Sequence, residues 1–350
     1  MKSKKMSSDK SIHSDEIIKI ATGFHLSKIL FAAVEFDIFS KIGRKKLQAK
    51  EIAKMCRLPV RSTTRLLNGN VAVGLLNYEK GKYSNSKVSE KYLIRGKKEY
   101  LGDLMKAYNN ILYDKWGNLE EVIKSNKFQP VFGPQKDTIG NISKNIKIAE
   151  KAIMAQHNYS IKPAEELASK FDFSKYNTLL DLGGGSGILS ITAVKKYPNL
   201  KAIVFDFPPV CKITRKVISK YKAGTKVKVI EGNILIDDFP KGADIILISG
   251  VLDGYDSKIC RKIIKKSYDY LPSGGAIILK ESIINDDRTS PLFPVLFSIA
   301  LMIETEGGDA RSRGEMTQWL KEAGFKKIRY KPLTGISGKF RNLGFLYAEK

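Results

Sequence analysis

The 350-residue sequence contains few cysteines, histidines and tryptophans, with three, three and two residues respectively. Three widely spaced cysteines (Cys56, Cys211 and Cys260) offer neither a metal-binding pattern nor a complete disulfide framework, so we expect a reducing, cytoplasmic setting and no metal. The polar N-terminus has no apolar segment of the kind that marks a secretory signal, and no apolar run approaches the roughly 18 residues of a membrane span. We therefore expect neither a signal peptide nor a transmembrane segment.

The sequence also lacks a concentrated basic region, although its formal net charge is +25. Lysines are scattered as singles and pairs, such as Lys45-Lys46 and Lys265-Lys266, and no basic block is interleaved with aromatic residues. We interpret this charge as a lysine-rich solvated surface and do not expect nucleic acid as a partner. Weak attraction to an acidic partner or an anionic membrane stays open.

One stretch, Thr178–Gly187 (TLLDLGGGSG), combines an apolar run with four glycines in five positions. The segment that follows it, ILSITAVKKY, has helical character, so the pattern predicts a strand, a tight loop and a helix. In an open α/β sheet, such a loop lies at the carboxyl end of a strand, where ligands bind. An ordinary strand-to-helix turn has the same local pattern, and the loop alone does not choose between these two interpretations.

The spacing of the glycines narrows the ligand class. Asp181 precedes G-x-G-x-G (Gly183, Gly185 and Gly187), whereas the dinucleotide fingerprint requires a glycine where this chain has Ile188. The pattern resembles motif I of class I methyltransferases, which bind S-adenosylmethionine (SAM). The resemblance implies that the three glycines make room for the methionyl part of SAM and that Asp181 attracts its ammonium, directly or through water.

A second acidic residue, Asp206, ends the next predicted strand, residues 201–205, about 20 residues beyond the glycines. A carboxylate there can accept hydrogen bonds from the ribose diol of NAD or of SAM. The surrounding FDFPPV is similar to the D-L-P-x-V element of small-molecule O-methyltransferases of the caffeic acid and acetylserotonin type. This resemblance implies a SAM-dependent homodimeric enzyme with Phe207 beside the cofactor.

The resemblance implies an α/β fold: a seven-stranded Rossmann-like methyltransferase sheet preceded by a mainly helical, winged-helix domain. Further strands are predicted at residues 226–231, 243–249, 276–280, 326–332 and 343–348, and we expect the last two to form an antiparallel pair. The predicted domains are a disordered tail (1–12), a winged-helix-like dimerisation domain (13–100), a helical linker that roofs the substrate (101–165) and the SAM-binding domain (166–350).

Within the N-terminal domain, helical spacing over residues 15–41 precedes predicted helices over 47–58 and 59–69 and a hairpin over 75–86. A helix–turn–helix with a β-wing suggests DNA binding when it occurs in a basic chain. The second helix carries only Arg61 and Arg65, however, which is little for reading a groove. The family resemblance favours dimerisation through this domain.

Three more cofactor-binding candidates follow the third and fourth strands. In the family, an acid and a hydrophobe after the third strand contact the adenine amino group and ring. This chain has Asn233, which keeps an acceptor oxygen, and Ile234 at those positions. Ser249, at the end of the fourth strand, completes the predicted cofactor site.

The catalytic motif departs from the family pattern. Most of these enzymes have L-H-D-W after the fourth strand, and its histidine deprotonates the acceptor hydroxyl; here Asp253 takes the place of that histidine. Two glutamates orient the histidine in the family: Glu281 matches the first, but Ala310 replaces the second. The usual base is therefore missing, together with half of its support.

Three interpretations stay open. The chain transfers a methyl group to oxygen with help from Asp253, His157 or Tyr255, or to an activated ring carbon, or it is a catalytically weak SAM-binding or winged-helix regulatory protein. Burial beside Glu281 would raise the pKa of Asp253 towards neutrality. A nucleic-acid methyltransferase is supported by charge alone, because the N/D-P-P-Y/F motif and a cysteine nucleophile near the fourth strand are both missing.

The acceptor pocket is expected to be apolar. An apolar segment, residues 291–303, fits a helix that closes this pocket. The predicted substrate-binding residues are Met154, which matches a methionine that lines the acceptor site in the family, together with Tyr255, Phe297 and Met302. An aromatic, polyketide-like, quinone, carotenoid or tetrapyrrole acceptor would suit such a pocket.

Overall fold

The computed structural model describes residues 14–130, 142–335, 338 and 340–350, and the chain divides into two compact units between Asn109 and Asn110. The predicted tail, residues 1–12, lies outside the described residues. The predicted boundary after residue 100 falls shortly before this division, and the predicted roof, residues 101–165, is shared between the two units.

The N-terminal unit consists of short helices and one hairpin. The helices are α1 (Ser14–Ala21), α2 (Gly23–Glu35), α3 (Ile38–Ile42), α4 (Ala49–Cys56), α5 (Val60–Ala72), α6 (Lys87–Tyr92) and α7 (Gly102–Ala107), and the strands are β1 (Leu76–Glu79) and β2 (Lys82–Asn85). The predicted helix–turn–helix and hairpin are confirmed. Lys80 and Gly81 turn the hairpin with φ of 48° and 79°, the backbone that a two-residue turn requires.

The prediction of one helix over residues 15–41 is wrong, because the chain breaks it twice. Thr22 separates α1 from α2, and its hydroxyl donates to the Ile18 carbonyl at 2.7 Å. Asp37 adopts a left-handed φ of 56°, which ends the helical path before α3. Apolar spacing continues across both breaks, so periodicity alone could not reveal them.

The prediction that no apolar run approaches the length of a membrane span is also wrong. Ser14–Glu35, 22 residues with a hydropathy of 1.5, is long and apolar enough to cross a membrane by length and composition. Two lysines, Lys19 and Lys28, interrupt the run in the sequence, so its high mean hydropathy is not evident from a search for uninterrupted apolar residues. One such stretch near the N-terminus is weak evidence for a membrane span, and little of it is buried within the chain.

The C-terminal unit is an α/β sandwich around one large sheet. Its helices are α8 (Tyr113–Gly117), α9 (Leu119–Ser125), α10 (Ile146–Lys170), α11 (Ile188–Lys196), α12 (Pro208–Lys220), α13 (Ser257–Tyr270), α14 (Leu292–Glu304) and α15 (Arg313–Ala323), and a π-helical segment, Tyr108–Leu112, links α7 to α8. Its strands are β3 (Thr178–Leu182), β4 (Lys201–Asp206), β5 (Val227–Glu231), β6 (Ile245–Ser249), β7 (Ala276–Ile284), β8 (Arg311–Ser312), β9 (Lys326–Pro332) and β10 (Leu343–Glu349).

The predicted seven-stranded sheet is confirmed in the order β5-β4-β3-β6-β7-β10-β9, and the two-residue β8 adds to β7. The pairs from β5 to β7 are parallel, and β10 runs antiparallel to both β7 and β9. Strand order reverses between β3 and β6, which is where ligands bind in open α/β sheets. The fifth strand of the sheet, β7, is longer than predicted, so Glu281 lies within it.

Alternation along the strands separates two environments. Leu180 and Leu182 of β3 lie in the main hydrophobic core, together with Trp319 of α15. Asp181 points to the opposite face of the sheet, where Ser190 of α11 contacts it. The sheet therefore places Asp181 against α11, the helix that follows the glycine-rich loop.

Candidate cofactor and acceptor site

The loop of residues 183–187, called the glycine loop below, joins β3 to α11 at the point where strand order reverses. Gly183 has a φ of 66°, and a Cβ added there would meet Val251 at 2.7 Å. Gly185 has a φ of 56°, and an added Cβ would meet nothing within 4 Å. The first glycine is therefore required by packing, while the second leaves open space beside exposed backbone, the condition for close approach of a ligand.

Asp181 lies directly below the glycine loop and is fully buried. Its Oδ2 accepts a hydrogen bond from Ser190 Oγ at 2.6 Å, whereas its Oδ1 has no partner among the described residues. Burial is the main reason that the pKa of Asp181 rises to about 6, and the nearby Asp206 adds to the effect. An unsatisfied buried acceptor beside open backbone fits the ammonium group of a bound ligand.

Asp206 joins two loops at the carboxyl edge of the sheet. Its Oδ2 accepts from the Gly185 amide at 2.8 Å, and its Oδ1 accepts from the Phe207 amide at 2.7 Å. Burial raises its pKa to about 6, and the two amide hydrogen bonds oppose that rise. Each carboxylate oxygen keeps a further lone pair, so Asp206 can still accept from a ribose diol.

The other predicted cofactor residues contact their own turns or the core of the protein. Asn233 Oδ1 accepts from the Leu235 amide at 2.9 Å, so the oxygen predicted to contact adenine already stabilises its own turn. Ile234 is only 5% exposed and belongs to the main core. Phe207 packs in a small cluster with Val210, and Ser249 ends β6 at the same edge as the glycine loop.

His157 lies under the glycine loop, and the described contacts do not join it to Asp253 or Glu281. Its Nδ1 is 3.0 Å from Ser186 Oγ, and its Nε2 is 3.1 Å from the Tyr221 hydroxyl. Burial lowers its pKa to about 4, so the ring is neutral at physiological pH. Both ring nitrogens are occupied by protein groups, and we infer that this residue supports the loop rather than the chemistry.

Asp253, in the turn that follows β6, and Glu281, within the neighbouring β7, are called the carboxyl pair below. Asp253 is half-buried in the 3-10 turn Leu252–Gly254, and its own carbonyl accepts from the Asp309 amide at 2.9 Å. Glu281 is buried, and neither of its carboxylate oxygens has a hydrogen-bond partner of good geometry among the described residues. Arg311 secures the turn by donating to the Leu252 carbonyl at 3.2 Å and to the Tyr255 carbonyl.

Burial and mutual repulsion both affect the ionisation of the carboxyl pair. Burial and the charge of Asp253 raise the pKa of Glu281 well above its usual range. Burial also raises the pKa of Asp253 to about 6, while Arg311 and Lys280 oppose that rise. Like charges this close together disfavour each other's ionisation, and the larger rise at Glu281 makes Asp253 the carboxyl group that ionises first.

Sequence reasoning missed two cations at this site. Lys280 is 7% exposed, and its ammonium donates to Ser249 Oγ at 3.2 Å. Arg311 is buried and holds the turn that carries Asp253. The signal for Lys280 was a charged residue in an otherwise apolar strand, AIILKESII. The role of Arg311 depends on a contact between distant segments and had no local signal.

The role of the predicted acceptor residues stays a prediction, and their places in the structure differ. Phe297 stacks on Phe293 in α14, with ring centroids 5.9 Å apart, while Met154 and Tyr255 are half-buried. Met302 is 36% exposed. It lies five positions after Phe297, which places the two side chains about 140° apart around the helix, so they do not face one pocket.

A cavity of about 880 Å³ lies elsewhere, between the end of β7, α15 and Tyr330 of β9. None of the predicted site residues lines it. We found no group of metal ligands among the described residues.

A parallel sheet with a glycine loop after β3 and a carboxylate at the end of β4 defines a nucleotide-binding α/β enzyme. The family model described as an O-methyltransferase domain matches residues 116–326, and the O-methyltransferase dimerisation domain matches residues 18–95. The chain therefore belongs to the O-methyltransferase family and is a SAM-dependent O-methyltransferase.

Curated relatives match over most of their length. The chain is 28% identical to 3-hydroxy-5-methyl-1-naphthoate 3-O-methyltransferase of Streptomyces sahachiroi, covering 89% of each protein. It is also 28% identical to acetylserotonin O-methyltransferase of Gallus gallus, covering 89% of this chain and 92% of the relative.

Two solved structures share the fold. Human N-acetylserotonin methyltransferase in complex with SAM has a TM-score of 0.87 at 24% identity, covering 97% of this chain and 99% of that one. PigF with SAH has a TM-score of 0.86 at 25% identity, covering 97% and 100%. The fold and the cofactor class predicted from the sequence are thus confirmed.

Proposed function

We propose that this enzyme methylates a hydroxyl group of an apolar small molecule of aromatic, polyketide-like or pigment-like character, with Asp253 as the proton acceptor. The observation that carries the proposal is the carboxyl pair, a buried acid beside a carboxylate whose pKa is about 6. The names of relatives that act on a naphthoate and in tetracenomycin polyketide synthesis support the acceptor class.

SAM would supply an electrophilic methyl group on a sulfonium. The residues that fit its parts are Asp181 for the ammonium, Gly183 and Gly185 for the methionyl chain, and Asp206 for the ribose. The unsatisfied Oδ1 of Asp181 and the open space at Gly185 support this fit. Asn233 and Ile234 remain candidates for contact with the adenine.

The carboxyl pair performs the proton transfer in this proposal. The ionised Asp253 accepts the proton from the acceptor hydroxyl, so that the oxygen carries its electron pair into the new bond. The neutral Glu281 stabilises that carboxylate, and Arg311 fixes the turn that aims it. A base with a pKa near the working pH is the most effective in general base catalysis.

The test is a set of incubations with methyl-labelled SAM and hydroxylated naphthoates, polyketide phenols and an extract of the native organism. We expect label in a product methoxy group, and a loss of turnover in Asp253→Asn. The exposed Asp238→Asn is the matched control and should keep full activity. Label on a ring carbon would contradict the hydroxyl acceptor, and SAM binding without any product would indicate the regulatory alternative.

We also propose that the subunits of a homodimer meet through α1 and α2. Several apolar side chains of these helices are exposed in the single chain, including Ile20 at 78% and its neighbours Ile17 and Ile18. The match to the dimerisation domain begins at residue 18, within this exposed stretch. Burial against a second chain accounts for an apolar helix that its own chain leaves uncovered.

A further inference from the structure

Lys280 is a buried ammonium with more donors than partners. It has three N–H donors, and its hydrogen bond among the described residues goes to Ser249 Oγ. Glu281, Asp253 and Asp181 attract it through space without forming an ion pair, and burial lowers its pKa. The positive charge of Arg341 lowers that pKa further. A cation this buried and this poorly satisfied is suited to an anionic ligand.

The strand register aligns Lys280 with the glycine loop. Leu182 pairs with Ile248 across β3 and β6, so Gly183 and Ser249 follow side by side, and Ser249 pairs with Lys280 across β6 and β7. The three residues form one row along the carboxyl edge of the sheet. Because the ammonium of Lys280 meets Ser249 Oγ, its side chain leans from β7 over β6 towards the glycine loop.

Asp181 and Lys280 lie on the same face of the sheet. Asp181 of β3 pairs with Leu247 of β6, so its side chain is on the face of Leu247. Ser249 is two residues after Leu247 and pairs with Lys280, so both of these residues are on that face too. Asp181, just below the Gly183 end of this row, has an unsatisfied carboxylate oxygen, and Lys280 at the other end has an ammonium with few partners. That is the complement of an amino acid zwitterion, in which an α-ammonium and an α-carboxylate share one carbon.

We propose that Lys280 binds the α-carboxylate of the methionyl part of SAM, while Asp181 receives the α-ammonium. This inference rests on the proposed cofactor site at the glycine loop. It assigns to a residue of β7 a direct role in cofactor recognition, and it makes Ser249 a residue that positions the lysine.

The test compares two ligands by calorimetry without an acceptor: SAM and decarboxylated SAM, which keeps the sulfonium and the amine but has no carboxylate. We expect the wild type to prefer SAM by about 10- to 100-fold, the effect of one charge-assisted hydrogen bond. In Lys280→Met, that preference should fall to near unity, while affinity for decarboxylated SAM stays unchanged. Lys201→Met, at the exposed start of β4, is the matched control and should keep the wild-type preference.

The outcomes separate this inference from the broader one. A Lys280→Met protein that keeps the wild-type preference for SAM, or that loses both ligands equally, would overturn the role of Lys280 and leave the cofactor site intact in the wild type. A wild type that binds neither ligand would overturn the cofactor site itself. Lys280→Gln, which is neutral and polar, gives the same comparison if circular dichroism shows that the methionine variant does not fold.

Discussion

If Asp253 is the base, as proposed, the ionisation of the carboxyl pair determines how activity depends on pH. Burial moves the pKa of Asp253 from 3.8 to about 6, which disfavours its ionised form by about 3 kcal/mol. In the proposed mechanism the ionised form is the base, so kcat/KM should be constant above this pKa and should fall tenfold for each pH unit below it. We expect the acid limb of the profile near 6, measured by initial rates with an acceptor hydroxyl that does not itself titrate in this range.

Glu281→Gln tests which member of the pair carries the proton. If Glu281 is neutral, the amide replaces a neutral hydrogen-bond donor with another, so kcat/KM should stay within about threefold and the limb should stay near 6. If Glu281 were ionised, the same change would remove a negative charge beside Asp253 and move the limb towards 4. That second result would refute the assignment of the proton to Glu281.

Asp253→Asn provides the reference for the loss of the base. Removing a positioned general base lowers the rate by about 100- to 10,000-fold, and the acid limb should disappear with it. Its thermal midpoint should not fall, because an amide removes a buried charge without changing the side-chain size. An Asp253→Asn enzyme with wild-type kcat/KM would show that the reaction depends on proximity alone.

Three further predictions follow from the other buried groups. Asp181→Asn should raise the free energy of unfolding at pH 7.5 by about 1–3 kcal/mol while weakening SAM binding. Because the pKa rises from 3.8 to about 6 on folding, the penalty removed by this change grows between those two pH values; the gain should be about half as large at pH 5 and should vanish near pH 3, and a gain of full size at pH 4 would contradict this origin. His157→Ala should raise the dissociation constant for SAM by about five- to tenfold through loss of the Ser186 contact, with kcat at saturating SAM unchanged. A large loss of kcat would instead indicate a catalytic role for this residue. Ile20→Glu should convert the dimer to a monomer in light scattering, whereas Ile123→Glu, equally apolar and 63% exposed in the other unit, should remain dimeric.

The parts of this enzyme that the sequence predicted are those encoded locally. The glycine loop follows an apolar strand and precedes a helix, and each of these features is visible within about ten residues. The hairpin turn at Lys80-Gly81 and the acid at the end of β4 are local in the same sense. Each prediction used either the backbone preference of a residue type or its position at the end of a strand. Neither property requires knowledge of tertiary contacts.

The parts that the sequence did not predict depend on register or helix phase. The row that joins Gly183, Ser249 and Lys280 exists only because three strands align, and no spacing in the sequence encodes it. Phe297 and Met302 were both predicted to contact the acceptor, but the phase of α14 places their side chains about 140° apart. His157 was expected near the acceptor, and only the packing of α10 against the glycine loop revealed its contacts.

The replacement of the family histidine is best understood together with the loss of the second glutamate. Imidazole titrates near neutrality without help, and carboxylates around it favour its protonated form. A carboxyl group reaches the same range only when it is desolvated, and every extra negative charge beside it raises its pKa further. A glutamate in place of the buried Ala310, next to Asp309, whose amide binds the Asp253 carbonyl, would put a third carboxyl near the pair. Its charge would raise the pKa of Asp253 further, so with Asp253 as the proposed base the two departures from the family pattern are consistent as one change.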